Sequence, residues 1–210
     1  MEWILQLPVL FFSIIFHEFS HGYAAYLRGD DTAYLSGRLS LSPLPHIDPV
    51  GTILVPAACA LMHFPMIGWA RPVPVNPYRM RNPRGDMALV AFSGPLSNIL
   101  LALLSALAFK LLMLGFIGGD LGLTLLRMLA FSVMINLLLA VFNLIPVFPL
   151  DGSQIALGLL KGRALELYEK HLPYGVYIIL GLVVTGLLQH IMQPLLNLAM
   201  MLVYPIMGGF

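Results

Sequence analysis

The sequence predicts an all-α polytopic membrane protein. Of its 210 residues 59% are hydrophobic and 10% charged, with a mean hydropathy of +0.88, a composition unlike that of a water-soluble globule. Three stretches, roughly 3–27, 88–115 and 122–147, are apolar over at least the ~20 residues that a helix needs to cross a hydrocarbon core of about 30 Å. Positive charge gathers in some loops and avoids others, as it does on the two sides of a bilayer.

The segment at 3–16 is apolar and runs into a His-Glu pair, without a basic leader or a small-residue cleavage site, so it is expected to be retained as the first span. Next, 50–69 is apolar but interrupted by Pro56, His63 and Pro65. The tail at about 172–208 reads as a helical hairpin of two shorter spans, broken near Gln189 and His190 with Pro194 beyond. Nine of the eleven Lys and Arg residues (Arg28, Arg38, Arg71, Arg79, Arg81, Arg84, Lys161, Arg163, Lys170) fall in loops after span 1, before span 2 or after span 3. The turn at 115–122 and the break in the tail carry none. The bias puts the first set of loops in the cytoplasm, so 50–69 must enter and leave on one side and is expected to be re-entrant or interfacial. Lys110 and Arg127 lie near outer span ends, where a long side chain reaches the interface. The count is about five to six membrane segments in a single domain, 1–210.

A net charge of +1 with scattered basic residues excludes nucleic-acid binding, which needs a concentrated basic surface. The one cysteine, Cys59, cannot form an intrachain disulfide and reads as a small apolar side chain.

Eight of ten acidic residues fit loops or the membrane surface; Glu18 and Asp151 do not. An ionisable group at membrane depth costs about 2.5 to 3.5 kcal/mol on insertion scales, so it faces protein, water or a metal. Glu18 belongs to His17-Glu18-Phe19-Ser20-His21, the helical HExxH pattern, in which two imidazoles one turn apart share a metal beside a glutamate. Catalytic zinc usually takes three protein ligands. By residue type His46, His63, His171 and His190 are available, but Asp151 is the stronger candidate. It follows the helix-breaking run Asn143-Leu144-Ile145-Pro146-Val147-Phe148-Pro149-Leu150 at a depth similar to the histidines, and broken backbone at membrane depth is tolerated where it lines a wet cavity. The alternative for Asp151 is an ordinary helix N-cap.

On these residues the chain resembles the site-2 protease family of zinc intramembrane metalloproteases, in the compact form without PDZ or CBS modules. The resemblance rests on His17 to Gly22, on Asn143 to Gly152 and on Ser93-Gly94-Pro95-Leu96-Ser97-Asn98. It extends to Gly37-Arg38-Leu39-Ser40-Leu41-Ser42-Pro43 and Gly68 to Asn76, and so spans about residues 10–160. It implies a three-helix catalytic core within about 3–160, one Zn2+ held by His17, His21 and Asp151, and cleavage of transmembrane protein substrates near the cytoplasmic face. Asn143 and Asn98 match motif positions and are candidates for substrate or oxyanion contact; interhelical bonding is the alternative for both.

The expected reaction is amide hydrolysis in which zinc activates water and polarises the scissile carbonyl, while Glu18 takes the proton and passes it to the leaving amine. The segment 37–76, with strand-like alternation, would offer an edge to an extended substrate. A membrane ion transporter and a catalytically silent, partner-binding homologue are the rival classes; Glu18 between the two histidines favours the enzyme. The expected location is the bacterial inner membrane.

Overall fold

A computed structural model describes residues 2–54, 70–115 and 119–208, and among these every regular element is helical. Helix α1 (Glu2–Leu27) is followed by the short α2 (Thr32–Leu35), then by α3 (Pro83–Leu114) and α4 (Gly119–Asn143). After a broken stretch come α5 (Asp151–Leu159), α6 (Gly162–Glu169), α7 (Gly175–Val184) and α8 (Leu187–Met207). The expected re-entrant or interfacial segment at 50–69 lies, beyond residue 54, outside the described residues, as do Cys59 and His63. The described parts of 37–76 contain no strand.

Among the described residues, three helices are long and apolar enough to cross a membrane: α3, α4 and α8. Helix α3 begins earlier than the apolar run that predicts it, because Asn82 caps it by accepting from Gly85 N–H, Pro83 stands in its first turn and Asp86 sits near its positive end. At 32 residues it is about 48 Å long and projects beyond the hydrocarbon. Helix α4 stops at Asn143, short of the expected 147. Pro146 has no N–H to continue the ladder, and Ile145, Val147 and Leu150 instead close local turns on Phe142, Ile145 and Val147 carbonyls. Three backbone N–H groups of the break are thus satisfied locally, in keeping with the demands of membrane depth.

In the tail the break falls at Thr185 and Gly186, not near Gln189 and His190. Gly186 takes φ +72°, a left-handed conformation open to glycine without a Cβ penalty. His190 fits an exposed face of α8 and donates Nδ1–H to Gly186 O. Helix α7, with 10 residues, is only about 15 Å long, so α8 alone in this hairpin has the length of a span.

The hub is α3, which packs on α1, α4, α5 and α8. Its buried side includes Val90, Gly94, Asn98, Ala102 and Ala106 at four-residue intervals. On α1 the matching buried stripe is Ser13, His17, His21 and Ala25. The two run antiparallel in register: Ala25 packs on Val90, His21 bonds Val90 O, His17 bonds Asn98, and Ser13 O accepts from Asn98. Further along, Ala102 and Ala106 meet Val133 and Leu137 of α4 and Val203 of α8, small residues that let backbones approach. Outward, Leu100, Leu104, Leu107 and Leu111 of α3 are exposed. Large apolar side chains outside and small or polar ones inside invert the soluble pattern and fit a lipid solvent.

Helix α5 seats against α3 with Gly158 so close to Ala88 that a Cβ there would lie 2.3 Å from the Ala88 Cβ. Arg84 of α3 donates to Leu157 O and Leu160 O at the α5 C-terminus, where carbonyls lack helical partners. The broken stretch is held from the other side: Tyr168 Oη donates to Pro146 O at 2.8 Å, and a Cβ on Gly175 would stand 2.2 Å from Phe148 O.

Substituting Ala106→Leu is expected to wedge α3 from α4 and cost about 1–3 kcal/mol, whereas Leu104→Ala on the outer face shifts stability by no more than about 0.5 kcal/mol. Thermal unfolding of the purified protein in one detergent distinguishes the two.

Candidate metal centre

Two imidazoles and one carboxylate converge where α1, α3 and α5 meet. His17 and His21, one turn apart on α1 and 7% and 9% exposed, bring their Nε2 atoms within 3.0 Å of each other. Asp151 Oδ2 lies 3.1 Å from His17 Nε2, and Oδ1 lies 3.3 Å from His21 Nε2. This is the one group of three or more potential metal ligands among the described residues.

Their outer nitrogens decide what the inner ones can do. His21 Nδ1 stands 2.7 Å from Val90 O, and a carbonyl only accepts, so Nδ1 carries the proton. His17 Nδ1 stands 2.6 Å from Asn98 Oδ1 and donates to it. In the neutral rings both Nε2 atoms are therefore lone pairs, facing one another and a carboxylate. Asp151 Oδ2 is buried and receives no hydrogen bond. A single added proton would satisfy one such pair; a divalent cation satisfies the set, and two imidazoles with one carboxylate are donors that suit zinc. The residues present fit the metal.

Gly94 gives this cluster its room. A Cβ there would lie 2.5 Å from His21 Nε2 and 2.6 Å from His17 Nε2, so any side chain would enter the space the ligands share. Gly152 does the same for Asp151: a Cβ would be 2.3 Å from Leu144 O and 2.4 Å from Ile145 O, and without one the start of α5 folds tightly under the break. Asp151 opens α5, but its carboxylate makes no capping bond and Leu150 occupies the cap position. Its side chain is turned to the histidines instead.

Glu18 is half-buried beside this group, and its Oε2 accepts from Val73 N–H at 2.9 Å. Val73 stands between Pro72 and Pro74, which have no N–H, so it is the single backbone donor of that tripeptide. The strap is tied down: Arg38 Nη2 donates to Arg71 O at 2.8 Å and Pro72 O at 3.1 Å, Arg71 N–H donates to His46 O, and Asn76 N–H donates to buried Asp30. Burial and the neighbouring Arg71 lower the Arg38 guanidinium from its usual range, with Glu18 pulling the other way. The two loop motifs at 37–43 and 68–76 thus meet beside Glu18.

Of the other described histidines, His46 is buried and donates Nε2–H to Ser40 O, and His171 and His190 bond backbone carbonyls of their own segments; none of these three joins the cluster. Asn98 is fully buried: besides accepting from His17, it donates to Ser13 O at 3.3 Å and to Asn136 Oδ1 at 2.7 Å. Asn143 is half-buried and donates to Leu139 O one turn back on α4. Asn136, Arg38 and the Val90 carbonyl play parts that sequence reasoning did not assign. For Asn136 there was a signal, an amide inside an otherwise apolar span.

Across 196 residues the chain is 37% identical to the "Putative zinc metalloprotease YwhC" of Bacillus subtilis (strain 168), covering 90% of this chain and 84% of that protein. The chain belongs to peptidase family M50, the site-2 proteases. Residues 113–185, which include Asp151, match the description Peptidase family M50 directly. No solved structure matches significantly. Its apolar helices fit a membrane member of this peptidase family.

Gly94→Ala is expected to push the imidazoles apart and leave the purified protein well below one zinc per chain while helix content is kept. Elemental analysis with circular dichroism checks both halves.

Proposed function

We propose that this M50 member is a zinc-dependent intramembrane endopeptidase that cuts membrane-spanning protein substrates, with His17, His21 and Asp151 as metal ligands and Glu18 as general base and acid. The observation that carries this reading is the convergence of two imidazole lone pairs and a carboxylate, with Glu18 in the same turn of helix.

When bound, zinc supplies Lewis acidity, lowering the pKa of water and polarising the scissile carbonyl. The other steps belong to the chain. His17, His21 and Asp151 would hold the ion, three protein ligands being the usual number for a catalytic zinc. Glu18, its Oε2 held by Val73 N–H, takes the proton from attacking water and delivers it to the departing amine. Nitrogen protonation breaks the peptide bond without a covalent acyl-enzyme. Arg38 steadies the strap and thereby the carboxylate. A peptide bond locked in a helix is shielded, so the substrate must unwind locally. For Asn143, with its amide directed to its own helix, contact with a substrate carbonyl requires a change of rotamer on binding.

The basic residues support a cytoplasmic site in a cell membrane. Arg28 pairs with Asp86 and Arg84 bonds the end of α5, so the C-terminus of α1, the N-terminus of α3 and the loop at Lys161 gather at one end of the bundle, which the charge bias assigns to the cytoplasm. His17 lies about 15 Å along α1 from Leu27, below that surface.

Glu18→Gln is expected to keep one zinc per chain and lower cleavage of a reconstituted single-span substrate by about 10²–10⁴-fold; undiminished cleavage removes the role. Asp151→Ala is expected to lower zinc content, and full occupancy by elemental analysis contradicts its place as a ligand. Treatment with a membrane-permeant chelator should abolish cleavage by the unaltered protein, with recovery on adding zinc.

A further inference from the structure

We propose that Asn136 of α4 is a positioning residue for the metal centre: acting through Asn98, it holds His17 in the tautomer whose Nε2 lone pair faces His21 and Asp151. The inference rests on the metal reading above and concerns a residue that touches none of the ligands.

The argument follows donors and acceptors through a buried chain that has one consistent assignment. Asn98 and Asn136 are fully buried. Asn136 places its amide nitrogen 2.9 Å from Ser132 O, a carbonyl that can only accept, which fixes which end of the amide is nitrogen. Its second N–H goes to Ser13 Oγ at 2.9 Å. Ser13 spends its own proton on Val9 O at 2.8 Å, so it meets Asn136 as an acceptor. Asn136 Oδ1 is then left to accept, and it does so from Asn98 Nδ2 at 2.7 Å. With its nitrogen committed there and to Ser13 O, Asn98 can offer His17 only an oxygen. His17 must carry its proton on Nδ1, leaving Nε2 free for a cation. Reversing either amide would set oxygen against oxygen or N–H against N–H between fully buried groups.

The two histidines differ in this respect. Val90 O, a backbone carbonyl, fixes His21 by itself. His17 faces an amide, whose two ends differ little in shape and which must itself be oriented. The Asn98 bond to Ser13 O, at 3.3 Å, is the longer of its two anchors, and Asn136 supplies the shorter. A ligand's outer hydrogen bond sets its tautomer and basicity, and loss of such a partner typically weakens metal binding 10–100-fold.

The test uses the full chain in detergent micelles with two variants. Asn136→Leu removes the amide. Asn136→Thr keeps a hydroxyl able to bond Ser132 O four residues back but too short to reach Asn98, and so remains informative where the leucine variant does not fold. Zinc affinity is read by competition with a chromophoric chelator, and the His17 tautomer by 15N NMR of the zinc-free, histidine-labelled protein, assigned with His17→Ala. The expected result is a zinc Kd raised about tenfold or more, together with a His17 signal that no longer reports Nδ1–H alone. Unchanged affinity in a folded variant overturns the proposal, and so does weakened affinity with the tautomer intact, the mark of a merely structural amide. Failure of the unaltered protein to bind zinc would instead overturn the metal reading.

Discussion

At membrane depth water is scarce, so each polar group must be satisfied by another part of the protein. That constraint shapes the bundle. Imidazoles and amides lie along the facing stripes of α1, α3 and α4, the Asp151 carboxylate joins them from α5, and each outer nitrogen of the two histidines has a partner on α3. Where the inner faces of the two histidines meet Asp151, two Nε2 lone pairs and a buried carboxylate oxygen are left without a donor.

Helix α3 holds the arrangement together by serving two purposes along one stripe. Its N-terminal half supplies Val90 O, the bare backbone of Gly94 and the amide of Asn98 to the histidines, while its other half supplies Ala102 and Ala106 for close packing on α4 and α8. Interhelical packing in lipid draws on small residues and van der Waals fit rather than on expulsion of water. The alanine contacts therefore fix the depth and rotation of α3, and through them the positions of three groups around the metal site. Arg84 extends the control to α5 and so to Asp151.

Much of this was legible in the chain. HExxH spacing is a local property, since 3.6 residues per turn place His17 and His21 on one face whatever surrounds them. Asp151 stood out because a carboxylate after an apolar run needs a reason, and Pro146 announced the break before it. The expected tail break at Gln189 and His190 missed because polarity was read as a turn; the structure turns at Gly186, where backbone freedom, not side-chain polarity, is the requirement. Asn136 carries no charge and so gives a weaker signal in an apolar span than an ionisable group, although a buried amide has the same need of partners.

By itself the sequence determined what short-range spacing and solvent preference can encode: the apolar helices, the pair of histidines on one helical face, the orientation bias of the basic loops and the breaks at proline. Tertiary structure alone decided the antiparallel register of α1 against α3, and with it that His17 meets Asn98, that His21 meets Val90 O and that the strap around Val73 reaches Glu18. The physical reason is that these pairings join residues 55 to 81 positions apart, and only the packing of whole helices sets which atoms come within hydrogen-bonding range.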